Sequence, residues 1–159
     1  MSFHKVFVYG TLKRGEPNHY WIMDKSKGLS KFVGVAKTVE KYPLIIGTKY
    51  NIPFLLDAPG RGHNVVGELY QVDETMLQHL DILEDHPSFY IREIGKVKLT
   101  ADDTVEDCWI YLIKKFKPEM LAQEHFEDYS STGAHGLAYR ERYLRDKSYD
   151  IKQDVFPSA

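Results

Sequence analysis

A short apolar segment near the start of the chain, Val6-Phe7-Val8-Tyr9, constrains the fold more than any other feature of the sequence. It shows no alternation of polar and apolar residues, which is typical of a strand that is covered on both faces. Gly10 follows at once, and glycine can adopt backbone angles that are closed to other residues. We therefore expect a buried strand that ends in a turn with exposed backbone amides.

Amides at such a turn can hold a carboxylate or stabilise an oxyanion, because their partial charges are fixed before the ligand arrives. Strands followed by glycine turns also occur without any site, so the residues alone leave both interpretations open. Gly10 and Gly15 have the spacing of a phosphate-binding loop, but Glu16 and Pro17 stand where its lysine and hydroxyl residue belong. The sequence therefore disfavours nucleotide binding.

Length and charge exclude several classes of protein. The 159 residues suffice for one domain with its own core, and the formal net charge of -2 gives no broad attraction to nucleic acid or to an anionic membrane. No apolar stretch is long enough to span a bilayer, and the N-terminus lacks a signal-peptide segment. Cys108 is the single cysteine and lies in an apolar run, which favours a buried thiol over a nucleophile. We expect a cytoplasmic protein with no nucleic-acid, membrane or obligate protein partner.

Gly and Pro divide the chain into short segments, and hydrophobic patterning predicts six strands with few helices between them. The predicted strands cover residues 4–9, 32–39, 44–46, 65–72, 90–99 and 105–114. Such an arrangement favours mostly antiparallel pairing and an α+β domain with a curled or closed sheet. Helices are predicted over residues 73–84, capped by Asp73, and over residues 118–129, where Pro118 suits a first helical position.

The last part of the chain is polar and lacks a clear period from Arg145 onward. We therefore expect a single domain over residues 1–144 and a polar C-terminal tail over residues 145–159, with a composition that favours disorder.

Glu84 is the candidate catalytic residue. On a helical wheel the helix over residues 73–84 has one apolar stripe, formed by Met76, Leu77, Leu80 and Leu83. Glu84 lies at the margin of that stripe and in the last turn, so burial and the helix dipole should both raise its pKa. A more basic carboxylate suits proton transfer near neutral pH. Alternatively, it reaches water or pairs with Arg92, and the residues alone do not decide.

Motifs for metal binding, dinucleotide binding or a serine nucleophile are missing from the sequence. The seven histidines show no paired metal-ligand spacing, the glycines fail the dinucleotide fingerprint, and no Gly-x-Ser-x-Gly elbow occurs. The sequence therefore signals no metal and no cofactor. Residues 130–136 are rich in turn formers and could form a surface loop or close over a pocket.

The ordered set of motifs along the chain closely resembles the gamma-glutamylamine cyclotransferase branch of the gamma-glutamylcyclotransferase-like (AIG2-like) superfamily. The motifs extend over roughly residues 5–140. They are Tyr9-Gly10-Thr11-Leu12, Tyr42-Pro43-Leu44, Asn51-Ile52-Pro53, Gly67-Glu68-Leu69-Tyr70, Leu80-Asp81 with Glu84, Tyr90 with Arg92, and His135-Gly136-Leu137.

The resemblance implies a small mixed, mostly antiparallel β-barrel with flanking α-helices, and no cofactor. It implies a small-molecule gamma-glutamyl substrate such as gamma-glutamyl-epsilon-lysine, from which 5-oxoproline is released. The family's substrate-binding loop maps onto Tyr9, Gly10, Thr11 and Leu12, and its acid/base glutamate onto Glu84. Two alternatives stay open: action on gamma-glutamyl amino acids or glutathione, and a non-catalytic module that binds gamma-glutamyl groups.

Overall fold

The computed structural model describes residues 3–157 and contains seven strands and three α-helices in that range. In chain order they are β1 Phe3–Val8, α1 His19–Met23, β2 Ser30–Tyr42, β3 Leu44–Gly47, β4 Ile52–Leu55, β5 His63–Asp73, α2 Glu74–Leu83, β6 Ile91–Leu99, β7 Val105–Leu112 and α3 Ile151–Val155. Two single turns of 3₁₀-helix lie at Pro118–Ala122 and Arg142–Leu144.

Five strands close into a barrel in the order β1-β5-β2-β6-β7, and β3 pairs with β4 in a separate two-stranded sheet. Most neighbours are antiparallel, but β7 lies parallel to β1, with Val6 opposite Trp109 and Phe7 opposite Ile110. Closure pairs β1 with β7, the two strands that would be the edges of an open sheet. The predicted α+β fold with a mixed, mostly antiparallel barrel and flanking helices is confirmed.

Strand β1 is covered on both faces, as its unbroken apolar sequence predicted. Successive side chains point to opposite sides, so Val6 and Val8 enter one core cluster while Phe7 and Tyr9 enter the other. The first cluster includes the buried stripe of α2, and the second includes inward-facing residues of the other barrel strands. Burial on both sides fixes the position of the loop that follows β1.

Helix α2 matches its sequence prediction closely. The Asp73 side chain caps the helix by accepting a hydrogen bond from the backbone N–H of Met76 at 2.9 Å. All four residues of the predicted stripe are buried, whereas Ile82 on the opposite side is 73% exposed. The helix ends at Leu83 with Glu84 as its C-terminal cap, which directs this residue toward the end of β1.

The predicted helix over residues 118–129 is wrong, and strand β4 was not predicted. After one 3₁₀ turn the chain becomes extended, and its backbone forms hydrogen bonds with β3 and then with β5. The Phe126 N–H donates to the Leu44 carbonyl at 2.8 Å, and the Val66 N–H donates to the Glu127 carbonyl at 2.8 Å. These long-range backbone bonds override the local helix signal.

The C-terminal segment packs on the barrel instead of forming the disordered tail that its composition favoured. Helix α3 buries Val155, and the Lys117 N–H donates to the Val155 carbonyl at 2.7 Å. The ends of the predicted domain and tail, residues 1–2 and 158–159, lie outside the described residues. A domain boundary at residue 144 stays a prediction.

Two further sequence predictions can be compared with the structure. Cys108 is a buried free thiol, and burial raises its pKa to about 12, so it behaves as a small apolar residue. No helix within residues 3–157 combines the length and hydropathy that a membrane crossing requires.

Candidate active site

A cavity of about 270 Å³ lies between the loop after β1, the end of α2 and the C-terminal segment. Its lining includes all five residues that the sequence singled out: Tyr9, Gly10, Thr11, Leu12 and Glu84. Residues far apart in the chain thus meet because β1 is held inside the barrel wall and α2 ends beside it. A cavity lined by apolar groups and a few convergent polar groups is suited to bind a small molecule.

The loop after β1 lines the cavity, and its backbone hydrogen bonds leave some of its donors without a partner within residues 3–157. A turn forms where the Lys13 N–H donates to the Gly10 carbonyl at 3.1 Å, and the Asn18 N–H donates to the Thr11 carbonyl at 2.8 Å. Across residues 3–157, the N–H groups of Gly10, Thr11 and Leu12 donate to no protein acceptor. Three amides at one wall therefore stay available to an anionic ligand or an oxyanion.

Asn18 holds this loop in place. Its side-chain amide donates to the Thr11 hydroxyl at 3.0 Å and to the Tyr139 hydroxyl at 2.9 Å. One residue thus ties the loop to the opposite, C-terminal wall of the cavity. Asn18 belongs to the same stretch of family-like sequence as the Tyr-Gly-Thr-Leu motif, but no role in the site was predicted for it.

Glycine is required at position 10 for a reason other than the one the sequence suggested. Gly10 does not adopt a left-handed conformation; the loop's left-handed glycine is Gly15, at φ 81°. A β-carbon on Gly10 would instead lie 2.9 Å from Cγ of Pro53, closer than packed atoms allow. A side chain at position 10 would therefore clash with strand β4. The backbone angles of Gly10 do not themselves require glycine.

Two buried tyrosines shape the cavity as neutral groups. The Tyr9 hydroxyl donates to the Tyr111 carbonyl at 2.7 Å, and the Tyr90 hydroxyl donates to the Pro53 carbonyl at 2.9 Å. Burial, with the nearby Glu84 charge, holds the pKa of Tyr9 and of Tyr90 well above the usual range. Both phenols stay protonated and bind the backbone, so neither is available as a base.

Glu84 is the one acidic group of the cavity with a strongly raised proton affinity. Its side chain is half-buried, and within residues 3–157 its carboxylate makes no hydrogen bond and no ion pair. Burial raises its pKa to about 7; the Arg142 charge opposes the shift, and Asp81 adds to it. The raised pKa agrees with the expectation from the sequence, and burial is its main cause.

Pairing of Glu84 with Arg92, the alternative that the sequence left open, does not occur. Arg92 instead donates to both carboxylate oxygens of Asp81, at 2.8 and 3.1 Å, and lies over the ring of Trp109 at 4.3 Å. Asp81 also accepts a hydrogen bond from the Tyr111 hydroxyl at 2.7 Å. Asp81 and Arg92 satisfy each other, and Glu84 is left unpartnered.

The cationic residues of the cavity come from the C-terminal segment, and sequence analysis missed them. Arg142 and Arg145 line the cavity, whereas Arg14, Arg92 and Arg140 do not. Arg14 pairs with Glu68 and lies over Phe32. No local signal distinguished these arginines, because only the return of the chain across the barrel brings residues 142–145 to the cavity.

Two other expectations concern loops and metals. Residues 130–136 do not line the cavity, although Tyr139, just beyond them, does. Throughout residues 3–157, no group of three or more His, Cys, Asp and Glu side chains is placed to hold a metal ion.

Comparison with known proteins places this site in context. A family model described as gamma-glutamyl cyclotransferase, AIG2-like, matches residues 6–131. The chain is 50% identical over 144 residues to a putative gamma-glutamylcyclotransferase of Drosophila melanogaster, a match covering 91% of this chain and 90% of the relative. It is 46% identical over 147 residues to the gamma-glutamylaminecyclotransferase of Mus musculus, covering 88% of this chain and 98% of the relative.

A solved structure agrees with the fold. The crystal structure of an AIG2-like protein from Mus musculus has a TM-score of 0.87 and 45% sequence identity, and the match covers 91% of this chain and 100% of that chain.

Proposed function

The chain belongs to the AIG2-like family of gamma-glutamyl cyclotransferases, and on that premise we propose that it converts gamma-glutamyl amines to 5-oxoproline and a free amine. One observation carries the proposal. Within residues 3–157, a carboxylate that has a pKa of about 7 and no bonding partner shares a cavity with three backbone amides that have no protein acceptor. The preferred substrate that we propose is gamma-glutamyl-epsilon-lysine, and the product amine is then lysine.

The substrate supplies its own nucleophile. The alpha-amine of the glutamyl group attacks the gamma-carbonyl and closes a five-membered ring, so the two reacting groups already belong to one molecule. An alpha-amino group has a pKa of about 8 and is largely protonated near neutral pH. A base must remove a proton before attack, and a carboxylate whose pKa lies near 7 suits that task. We assign this role to Glu84.

Ring closure forms a C–N bond and moves the carbonyl electron pair onto oxygen. The amides of Gly10, Thr11 and Leu12 stabilise this oxyanion, because their dipoles are already oriented. As the C–N bond to the leaving amine breaks, protonated Glu84 gives a proton to that nitrogen. Overall, two protons leave the alpha-nitrogen and both end on the departing amine, which is released as an ammonium ion. The reaction needs no redox step and no cofactor.

Substrate choice within this chemistry is part of the proposal. Gamma-glutamyl amino acids and glutathione share the glutamyl half and differ only in the leaving group, and a binding module without turnover would need no base. The unpaired Glu84 favours an enzyme over a binding module, because a module gains nothing from holding a carboxylate in an unfavourable environment. A cytoplasmic location and the absence of nucleic-acid, membrane or obligate protein partners remain predictions.

The test is to incubate the purified protein with gamma-glutamyl-epsilon-lysine, gamma-glutamyl-alanine or glutathione and to measure 5-oxoproline by mass spectrometry. We expect product from the first substrate and much less from the others. Glu84→Gln should lower kcat by about a hundred- to ten-thousand-fold, the usual effect of losing a general base. Glu74→Gln is the matched control, because Glu74 is exposed in the same helix and does not line the cavity. Near wild-type turnover by Glu84→Gln would refute the assignment of the base, and no product from any substrate would favour the binding module.

A further inference from the structure

The outer wall of the active-site cavity is built by the C-terminal segment, residues 139–152. Tyr139, Arg142, Arg145, Tyr149 and Lys152 all line the cavity from this side. The segment lies beyond residues 6–131, which the family model matches. Its side chains therefore add to the shared machinery, and they face whatever part of the substrate points away from the loop after β1.

The three cationic residues of this wall differ in whether a carboxylate pairs with them. Lys152 forms an ion pair with Asp85 at 2.9 Å. Arg142 and Arg145 have no carboxylate within ion-pair distance anywhere in residues 3–157, and each donates only to a backbone carbonyl: Arg142 to Leu83 and Arg145 to Arg140, both at 2.9 Å. A guanidinium has five N–H donors, so most of the donors on both side chains remain available.

Arg145 is held in a defined place. Its guanidinium lies 5.0 Å from the ring centroid of Tyr50 and 5.1 Å from that of Tyr139, and the residue is half-buried. Burial and the like charge of Arg142 lower its pKa, so the two cations are brought together at a cost in free energy. Arg145 is half-buried and Arg142 beside it is exposed, and within residues 3–157 neither has a carboxylate at ion-pair distance, so together they are suited to bind a carboxylate from a ligand.

The substrate offers two carboxylates to such a site. One belongs to the glutamyl group, which reacts beside the loop amides and Glu84. The other belongs to the leaving amine when that amine is the side chain of lysine, whose apolar stem separates the amide nitrogen from the carboxylate. Ile52, Phe89 and Tyr90 give the cavity apolar lining that fits such a stem.

We propose that Arg145, assisted by Arg142, binds a carboxylate carried by the leaving amine, and so selects amines with an apolar stem that ends in an anionic group. This inference rests on the proposed function and specifies which half of the substrate the C-terminal segment recognises. The arginines act in binding and do not touch the reacting atoms. Replacing these arginines should therefore mainly raise KM.

The experiment compares gamma-glutamyl-epsilon-lysine with gamma-glutamylcadaverine, which lacks only the carboxylate of the leaving group. We expect wild-type protein to prefer the lysine compound. Arg145→Gln should raise KM for that compound by about 10- to 100-fold, the usual effect of losing a charged hydrogen bond, and change kcat/KM for the cadaverine compound by less than about threefold. Arg145→Lys should recover part of the loss, because it keeps the charge but not the planar donor fork.

Controls separate local from general effects. Lys147→Gln removes an exposed charge in the same segment, outside the cavity lining, and should leave both substrates unaffected. Circular dichroism and thermal melting check that each variant is folded. An equal loss of kcat/KM on both substrates would overturn the inference, because the guanidinium would then bind the glutamyl half. No loss of kcat/KM on either substrate would also overturn it.

A failure of the proposed function would give a different experimental result. Wild-type protein would then turn over neither compound. Binding of the same two compounds to wild type and Arg145→Gln, measured by calorimetry, would still decide the inference. A carboxylate-dependent difference in affinity that Arg145→Gln abolishes supports it, and no such difference overturns it.

Discussion

Replacing Glu84 by glutamine should stabilise the protein at alkaline pH and leave it nearly unchanged at acidic pH. Burial raises the pKa of the carboxyl from 4.5 to about 7, so the native state binds a proton more tightly than the unfolded state. A carboxylate with a raised pKa costs stability above its unfolded pKa, and this cost grows as pH rises from about 4.5 to about 7 and then levels off. Glutamine has nearly the same shape and no charge, so it removes the cost.

The magnitude follows from the shift. At about 1.4 kcal/mol per pKa unit, a shift from 4.5 to about 7 corresponds to about 3 kcal/mol in full. The side chain is only half-buried and is reached by solvent in the cavity, so we reduce the effect to about 2 kcal/mol between pH 5 and pH 8. For a domain of this size, that difference corresponds to about 4–8 °C in Tm.

The assay is thermal melting and urea unfolding of wild type and Glu84→Gln at pH 5 and pH 8. The gap in Tm between variant and wild type should widen by about 4–8 °C at the higher pH. Glu124→Gln removes an exposed carboxylate that has no ion pair within residues 3–157, and it should show no such widening. A gap that stays constant or narrows with rising pH would mean that the Glu84 carboxylate is not desolvated in the folded protein. Glu84 would then not have the raised pKa that suits a general base near neutral pH.

Three further outcomes test neighbouring parts of the structure. Asp81→Asn should move the acidic limb of the pH–rate profile to lower pH, because the Asp81 charge raises the pKa of Glu84; an unmoved limb contradicts this coupling. Gly10→Ala should lower kcat/KM by about tenfold or more, through displacement of the amides next to the facing proline, while thermal melting shows a stability loss of about 1–3 kcal/mol. Leu80→Ala, in the buried stripe of α2, should lower the free energy of unfolding by about 2–5 kcal/mol in urea, and the exposed control Ile82→Ala should lower it by less than about 0.5 kcal/mol. Similar losses for the two variants would contradict the assignment of Leu80 to the buried face.

The candidate site was predicted only in part. The loop at Gly10 and the carboxylate of Glu84 both follow from short stretches of sequence, since an apolar run, a cap and a helical stripe are local patterns. Their meeting in one cavity is a property of the closed barrel. The catalytic role of Glu84 stays a prediction, while its half-buried, unpaired state is a feature of the structure.

Segments with competing signals were predicted poorly. Residues 118–129 carry a proline suited to a helix start, yet their backbone bonds to Leu44 and Val66 far along the chain. Local propensity amounts to less than about 1 kcal/mol per ordinary residue, so such tertiary bonds readily override it. The polar segment from Arg145 onward showed no period, and its packing depends on contacts with distant residues: Val155 is buried in the core, and the ring centroid of Phe156 lies 5.6 Å from that of Phe89.

Strand β1, helix α2, the position of Glu84 at the end of that helix and the family resemblance could all be derived from the sequence, because each is carried by short stretches of residues. Two features emerged in the folded structure: β7 returns parallel to β1, and within residues 3–157 Arg142 and Arg145 line the cavity without an ion-pair partner. Pairing across the barrel and burial of a charge depend on contacts between distant residues, and no local pattern encodes those contacts.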